Sequence, residues 1–140
     1  MKALLRAVRF ALVSDAAIMA ANSGGVFTGR GQDDAAMPYL LVTSVGGFMP
    51  VYYTARNRQL EHITVRFQAW SKSIDTAMTT VERIEKIFRT ANVALESGTV
   101  VCTSKSSDGI EIDSDPTDDG HDVYMGIIDL DFTVQRNPIS

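Results

Sequence analysis

Apolar and polar residues recur along this chain with two periods, one helical and one typical of strands. Residues 2–14 place apolar side chains on one side and basic ones on the other, which predicts an amphipathic helix. The same pattern predicts a helix over 74–89, with Ser73 as its N-cap. Its apolar stripe, expected to pack on a sheet, comprises Ile74, Ala77, Met78, Val81, Ile84 and Phe88.

Between and after these helices, alternating apolar and polar residues predict half-buried strands. The last two strands are separated by a turn rich in Asp, Pro and Gly, so we expect them to pair as an antiparallel hairpin. The alternation is lost from Gly46 to Gln59, which predicts a long loop. The predicted strands are 26–28, 39–44, 62–70, 99–113 and 122–135.

The order of these elements predicts a single α+β domain over residues 1–140. We expect an antiparallel sheet of about four or five strands, two helices packed on one face, and a long C-terminal β-hairpin, part of which projects. The other face would be uncovered, either solvated or in contact with another subunit. Its predicted members are His62, Thr64, Arg66, Gln68, Trp70, Ile127, Asp129, Asp131 and Thr133.

Two segments between the regular elements are candidates for partner contact. The predicted loop interleaves tyrosines with arginines, which anchor protein interfaces but also occur on surfaces that bind single-stranded nucleic acid, or simply in mobile loops. The turn of the hairpin is acidic and is interpreted as solvated. The candidate subunit or partner interface comprises Tyr52, Tyr53, Arg56, Arg58, Asp113, Asp115, Asp118, Asp119 and Asp122.

The formal net charge of -4 is unevenly distributed along the 140 residues. Residues 1–70 carry 7 Lys/Arg and 4 Asp/Glu, whereas residues 71–140 carry 6 Lys/Arg and 13 Asp/Glu. An acidic chain is a poor sequence-independent binder of nucleic acid, because such binding needs several cations on one face. Surfaces of opposite sign instead suit head-to-tail self-association.

Sites of chemistry are not evident in the sequence. Asp113 begins a stretch similar to a calcium-binding loop, but Asp118 replaces the required glycine and Tyr124 the bidentate glutamate. The two histidines and the single cysteine are not accompanied by further ligands or by a nucleophile at the spacing of a metal or acyl-transfer site, and no complete phosphate-binding motif occurs. We therefore expect no catalytic, cofactor or metal site. The longest apolar run, residues 16–21, is too short to span a membrane.

Several short strings together carry a resemblance to a known family. They are Leu4-Leu5-Arg6-Ala7-Val8, Gly25-Val26-Phe27, Met37-Pro38-Tyr39-Leu40-Leu41-Val42, Ile63-Thr64-Val65-Arg66-Phe67-Gln68-Ala69-Trp70-Ser71 and Val123-Tyr124-Met125-Gly126-Ile127-Ile128-Asp129-Leu130-Asp131-Phe132. In these strings and in element order the chain resembles the tail-terminator or tail-completion proteins of long-tailed bacteriophages, also called head–tail joining or minor tail proteins. It departs from the short-loop members in its acidic turn at 115–122.

The resemblance implies a structural virion protein of the tail or neck, assembled in the host cytoplasm. Such a protein would form a hexameric ring at the head-proximal end of the tail, stop growth of the tail tube and offer the surface that the head joins. Its partners would be tail tube and head–tail connector proteins, with DNA passing through the lumen without specific binding. The alternatives are a neighbouring neck component or a small ligand-binding module on a ferredoxin-like sheet.

Overall fold

Three helices and five strands follow the chain in the computed structural model, which describes residues 2–28, 37–52, 59–90, 99–114 and 122–135. The five strands form one sheet in the order β1-β2-β3-β5-β4. The elements are α1 (Lys2–Val13), α2 (Ala16–Ala21), β1 (Val26–Thr28), β2 (Tyr39–Tyr52), β3 (Gln59–Ser71), α3 (Ile74–Thr90), β4 (Thr99–Ser114) and β5 (Asp122–Gln135).

The two predicted helices are present, and a short third one lies between α1 and the first strand. α1 ends at Val13, and Asp15 then caps α2 by accepting a hydrogen bond from the backbone N–H of Ile18 at 3.0 Å. At the end of α2, buried Asn22 donates from Nδ2 to the Ile18 carbonyl at 3.0 Å and to Thr80 Oγ1 of α3 at 3.4 Å. These contacts join α2 to α3.

The sheet is antiparallel except at one edge. β1 runs parallel to β2, with Val26 opposite Leu40, while the other three strand pairs are antiparallel. Gly25, with a φ of 109°, precedes β1 in a conformation that favours glycine, and its carbonyl accepts from the Leu40 N–H at 3.0 Å. The predicted α+β class is confirmed, with one parallel pair added to the antiparallel sheet.

The predicted long loop from Gly46 to Gln59 is wrong over most of its length. β2 continues to Tyr52, and β3 already begins at Gln59, so the segment between the two strands is only 53–58. The register between β2 and β3 shifts between Val45 and Met49, and this irregularity interrupts the alternation that would have indicated a strand. Among the described strands, β1 flanks β2 only at residues 40–42, so Pro50 lies on a stretch of β2 that pairs with β3 alone, and proline is tolerated on such edge strands.

The described part of the C-terminal hairpin does not project from the sheet, contrary to expectation. β5 pairs with β4 on one side and with β3 on the other, and the pairing with β3 extends from Tyr124 to Gln135. This is possible because β3 is itself 13 residues long and supports almost the whole of β5. The hairpin is therefore an integral part of the sheet.

All three helices lie on one face of the sheet and bury the core against it. Phe88 of α3 packs between Phe67 and Phe132, with ring centroids 5.4 Å and 5.7 Å apart. α1 contributes Leu4, Val8 and Leu12 to the same buried cluster. The strand residues of that cluster include Leu40, Val42, Ile63, Val65, Phe67, Ala69, Val100, Ile128, Leu130, Phe132 and Val134.

Two members of the predicted apolar stripe of α3 are not in the core. Ile74 is 40% exposed and Met78 is 44% exposed, whereas Ala77 and Val81 are buried. Successive residues of a helix differ by about 100° around its axis, so Met78 lies to one side of the buried Ala77. The interpretation of Met78 as a packing residue is therefore wrong, and its side chain is part of the surface.

Candidate subunit interface

The face of the sheet opposite the helices carries the polar residues that the alternation predicted. His62, Thr64, Arg66 and Gln68 lie on this face of β3, because the core residues of β3 occupy the intervening positions. Asp129 and Asp131 of β5 face the same way. The described residues thus include a broad sheet surface that no described helix covers, which we call the uncovered face.

Cross-strand pairs satisfy the charged groups in the middle of the uncovered face. The antiparallel register places Arg66 opposite Asp129, and Arg66 donates from Nε and Nη2 to the two carboxylate oxygens at 2.9 Å and 3.1 Å. Thr64 donates to Asp131 in the next pair. Asp129 is only 7% exposed, so its charge is compensated by Arg66 instead of being presented to a partner.

One end of the uncovered face is aromatic. Tyr39 stacks on Trp70 with ring centroids 6.3 Å apart, and Phe27 meets Tyr39 edge to face at 6.1 Å. The Nε1 of Trp70 is buried and has no hydrogen-bond partner among the described residues. Burial raises the pKa of the Tyr39 hydroxyl above its ordinary value of 10.0. This end of the face therefore combines apolar rings with polar groups that water reaches poorly.

A second candidate surface lies on the outer side of α1, away from the sheet. Phe10 is 71% exposed, and its neighbours Arg6 and Arg9 are exposed as well. Arg9 donates from Nε to the Val26 carbonyl of β1 at 3.2 Å, which places this side of the helix at the β1 edge of the sheet. The sequence-based interface did not include Phe10. The sequence feature that could have indicated Phe10 is its position: it is an aromatic residue two positions beyond the buried Val8 and off the apolar stripe of the helix.

A third surface is a groove between α3 and the edge strand β4. Its lining is apolar at Met78, Val81 and Ile110, with Gly109 at the strand, and its acidic residues are Glu82 and Asp108. Lys105 is held nearby, at 3.2 Å from Asp108 and 3.5 Å from Glu85, and these carboxylates raise the pKa of the Lys105 ammonium. The groove lies at the β4 edge, opposite the edge where α1 lies.

The residues of the sequence-predicted interface fall at the ends of strands or outside the described residues. Tyr52 ends β2 opposite Gln59, so it is a strand residue and not part of a long loop. Asp113 pairs with Val123 and Asp122 with Ser114, at the turn end of the hairpin. Outside the described residues lie Tyr53, Arg56, Arg58, Asp115, Asp118 and Asp119.

The strand registers separate the two halves of that predicted interface. Gln59, opposite Tyr52, is at the start of β3, whereas Ser71 at its end is paired with Tyr124, two residues after Asp122. A strand of 13 residues spans about 40 Å at roughly 3.3 Å per residue. Tyr52 and the described acidic residues therefore lie at opposite ends of the sheet and do not meet within one subunit.

The described residues include no group of three or more His, Cys, Asp and Glu side chains placed to hold a metal ion. Among the same residues, no helix is both long and apolar enough to cross a membrane. His62 is exposed, and its Nδ1 lies 2.9 Å from Thr133 Oγ1. Its described contact is thus another cross-strand pair of the uncovered face.

Comparison with known proteins gives two findings. Residues 6–135 match the model of the family described as Tail completion protein gp17. Among solved structures, the chain is similar to one from the "Virion of native gene transfer agent (GTA) particle", with a TM-score of 0.71 and 15% sequence identity over 96% of both chains. At this identity the likeness shows a shared fold. No curated protein matches the chain.

Proposed function

The chain belongs to the tail completion protein gp17 family, and from this premise we propose that it forms a ring at the head-proximal end of a phage tail. The family implies a structural protein of the virion tail or neck. In the proposed ring, which we expect to be hexameric, the subunits end growth of the tail tube and present the surface that the head joins. The observation that carries the proposal is the family match, which spans nearly all of the described elements.

The distribution of surfaces supports a ring built by head-to-tail contacts. The basic, apolar outer side of α1 lies at the β1 edge of the sheet, and the acidic-rimmed groove of α3 lies at the β4 edge. When two copies join through two different surfaces, each end of the growing assembly still has one unused surface. Further copies therefore add through the same contact until the ring closes. The likeness to a chain of a gene transfer agent virion is consistent with a subunit of a larger assembly.

Electron microscopy of tails assembled with and without this protein tests the proposal. Without it, we expect tubes of uncontrolled length that do not join filled heads, and we expect purified protein added back to restore both properties. Tubes of normal length that still fail to join heads would instead identify a neighbouring neck component. Normal, joined tails in the absence of the protein would contradict the proposed function.

Within this proposal, the tyrosines and arginines around 52–58 contact the acidic hairpin of another subunit. The ends of the sheet that carry Tyr52 and Asp122 lie about 40 Å apart in one subunit, so such a contact must join different copies, in one ring or in an adjoining one. The proposed contact comprises Tyr52, Tyr53, Arg56 and Arg58 on one side and Asp113, Asp115, Asp118, Asp119 and Asp122 on the other.

Charge reversal of Arg56 and Arg58 to glutamate tests this contact. We expect loss of assembly and of tail joining, because like charges would then face one another. Reversal of the exposed cations Lys72 and Lys86 is the matched control, since it changes the net charge equally at other positions. Unchanged assembly of the Arg56→Glu, Arg58→Glu variant would rule the contact out.

As an alternative to the contact with the arginines, we propose that the acidic residues instead face the lumen of the ring. Negative charge there would let DNA pass without adhering, because phosphates are repelled. The assembled ring should then fail to retain duplex DNA at moderate salt. Strong retention of DNA under those conditions would contradict a lumenal position.

A further inference from the structure

We propose that Phe10 of one subunit inserts into the groove between α3 and β4 of the next subunit, and that this contact closes the ring. The inference deepens the proposed function and rests on the ring that it assumes. It names one contact between two copies of this chain, formed by the outer side of α1 and by a groove at the far edge of the sheet.

The first support is the position of Phe10. α1 already contributes Leu4, Val8 and Leu12 to the core, so its apolar stripe is complete without Phe10. Phe10 is two residues beyond Val8, about 200° around the helix axis, and points away from the sheet. An aromatic side chain that is 71% exposed leaves a large apolar area in water, and aromatic residues are enriched where subunits meet.

The second support is the shape and lining of the groove. Its volume is about 200 Å³, and it is open to solvent, so a side chain of another subunit can enter it from outside. Met78 is 44% exposed at its wall, and Ile110, which also lines the groove, is only partly buried. The groove therefore has open apolar space that is not filled by a described side chain, and an aromatic ring suits it.

The third support is charge. Exposed Arg6 and Arg9 lie beside Phe10 on α1, whereas Glu82 and Asp108 line the groove. Asp108 already pairs with Lys105, but Glu82 lies exposed on the outer side of α3. An aromatic residue beside two cations thus matches an apolar groove that is also lined by two carboxylates, and complementary charges set the orientation of the two copies.

The two surfaces cannot meet within one subunit. α1 contacts β1 and β2, whereas α3 contacts β3, β5 and β4. Four strand spacings of about 4.8 Å separate β1 from β4 by about 19 Å. Because the surfaces differ and lie at opposite edges, the contact is head-to-tail and leads to a closed ring or an open chain of subunits.

Cysteine cross-linking of the full chain tests the contact directly. In a Cys102→Ser background, which removes the only natural cysteine, Ser14→Cys and Met78→Cys are introduced together, so that Phe10 is kept. Ser14 is exposed one helical turn beyond Phe10, and Met78 is exposed at the wall of the groove. Under mild oxidation we expect a ladder of covalent multimers on a denaturing gel, because each copy carries both halves of the contact. Each single-cysteine variant serves as a control and should yield dimers at most.

Substitutions that leave the fold intact give a second readout. By light scattering, Phe10→Ala should weaken ring formation by about tenfold or more, the effect of truncating an interface anchor. Met19→Ala, which shortens another exposed apolar side chain on the neighbouring α2, should leave it unchanged. Arg6→Glu and Glu82→Arg should each weaken the ring, and the two together should restore it. Circular dichroism verifies that each variant is folded.

The outcomes separate this inference from the proposed function. Ring formation that is unaffected by Phe10→Ala, or a double-cysteine variant that forms rings without a multimer ladder, overturns the Phe10 contact while the ring stands. Cross-linking that stops at dimers overturns it as well, because it indicates a symmetric contact. A wild-type protein that stays monomeric and is dispensable for tail completion contradicts the proposed function itself.

Discussion

Gly126 of β5 lies directly beneath Val81 of α3, so closely that a Cβ atom at Gly126 would come within 2.7 Å of Val81 Cγ2. The same atom would lie 3.0 Å from the backbone oxygen of Ala77. Helix and sheet therefore approach each other here to a distance that only glycine permits. This close contact sets the position of α3 on the sheet, and with it the position of the groove that α3 forms with β4.

Substitution of Gly126 by alanine should destabilise the protein by about 1–3 kcal/mol, because the added methyl group overpacks the helix–sheet contact. The Ala77 oxygen belongs to the backbone and cannot move away by a change of side-chain rotamer. Denaturant unfolding measures the loss. Gly109→Ala, on the adjacent β4, is the matched control, since its Cβ would meet nothing within 4 Å. Equal stability of the two variants would show that α3 moves away from the sheet without cost.

Asp15 joins α2 to α3 and should give the stability a dependence on pH. Its carboxylate caps α2 and accepts from Arg83 Nη2 at 2.6 Å, and the hydrogen bond from Arg83 is the main reason why the pKa of Asp15 lies below its ordinary value of 3.8. Because the folded-state pKa is lowered, the ionised carboxylate stabilises the protein above about pH 3.8 and loses this effect as the pH falls through the lower, folded-state pKa.

Asp15→Asn isolates the charge, because asparagine caps helices about as well as aspartate. We expect the variant to be less stable than wild type at neutral pH, and the difference to shrink as the pH falls below 3.8. Asp15→Ala should cost about 1 kcal/mol more, because it also removes the cap. Denaturant unfolding across the acid range measures both effects, and a difference independent of pH would argue against the Arg83 ion pair.

Periodicity was sufficient to predict most of the fold. Residues 62–70 and 122–135 alternate because one sheet face is buried and the other is not, so β3, β5 and the composition of the uncovered face followed from the sequence. The resemblance to tail-completion proteins, drawn from short strings and element order, is confirmed by the family match.

Other features left no periodic signal. The register shift between Val45 and Met49 interrupts the alternation of β2, and three-residue β1 is too short for its pattern to reveal a parallel partner. The exposed Met78 continues the apolar spacing of α3, so only its packing shows that it belongs to the surface. The groove beside it forms where residues 78–82 of α3 meet residues 108–110 of β4, and no pattern within a single element indicates that packing, so the sequence analysis did not include it.

Loss of Arg66 should leave the Asp129 carboxylate buried without its ion-pair partner. Arg66→Met should therefore cost about 1–3 kcal/mol, whereas the double variant Arg66→Met, Asp129→Leu should recover much of that loss. Arg89→Met is the control, because its exposed ion pair with Glu85 is worth at most about 1 kcal/mol. Equal losses for Arg66→Met and Arg89→Met would mean that the pair on the uncovered face is as solvated as one on a helix surface.

Alkaline unfolding should report on the aromatic end of the uncovered face. Burial raises the pKa of Tyr39, so the unfolded chain releases this proton at a lower pH than the folded protein does. The contribution of Tyr39 to stability is therefore fully present below its ordinary pKa of 10.0 and declines as the pH rises above it.

Tyr39→Phe keeps the ring stacked near Trp70 and removes the titrating hydroxyl. We expect wild type to lose stability relative to this variant between about pH 9 and pH 11, because only wild type can ionise a tyrosine at position 39 on unfolding. Denaturant unfolding followed by the emission of Trp70, the single tryptophan of the chain, measures both proteins. Parallel pH profiles would show that water reaches the Tyr39 hydroxyl freely and that the aromatic end of the face is not sheltered.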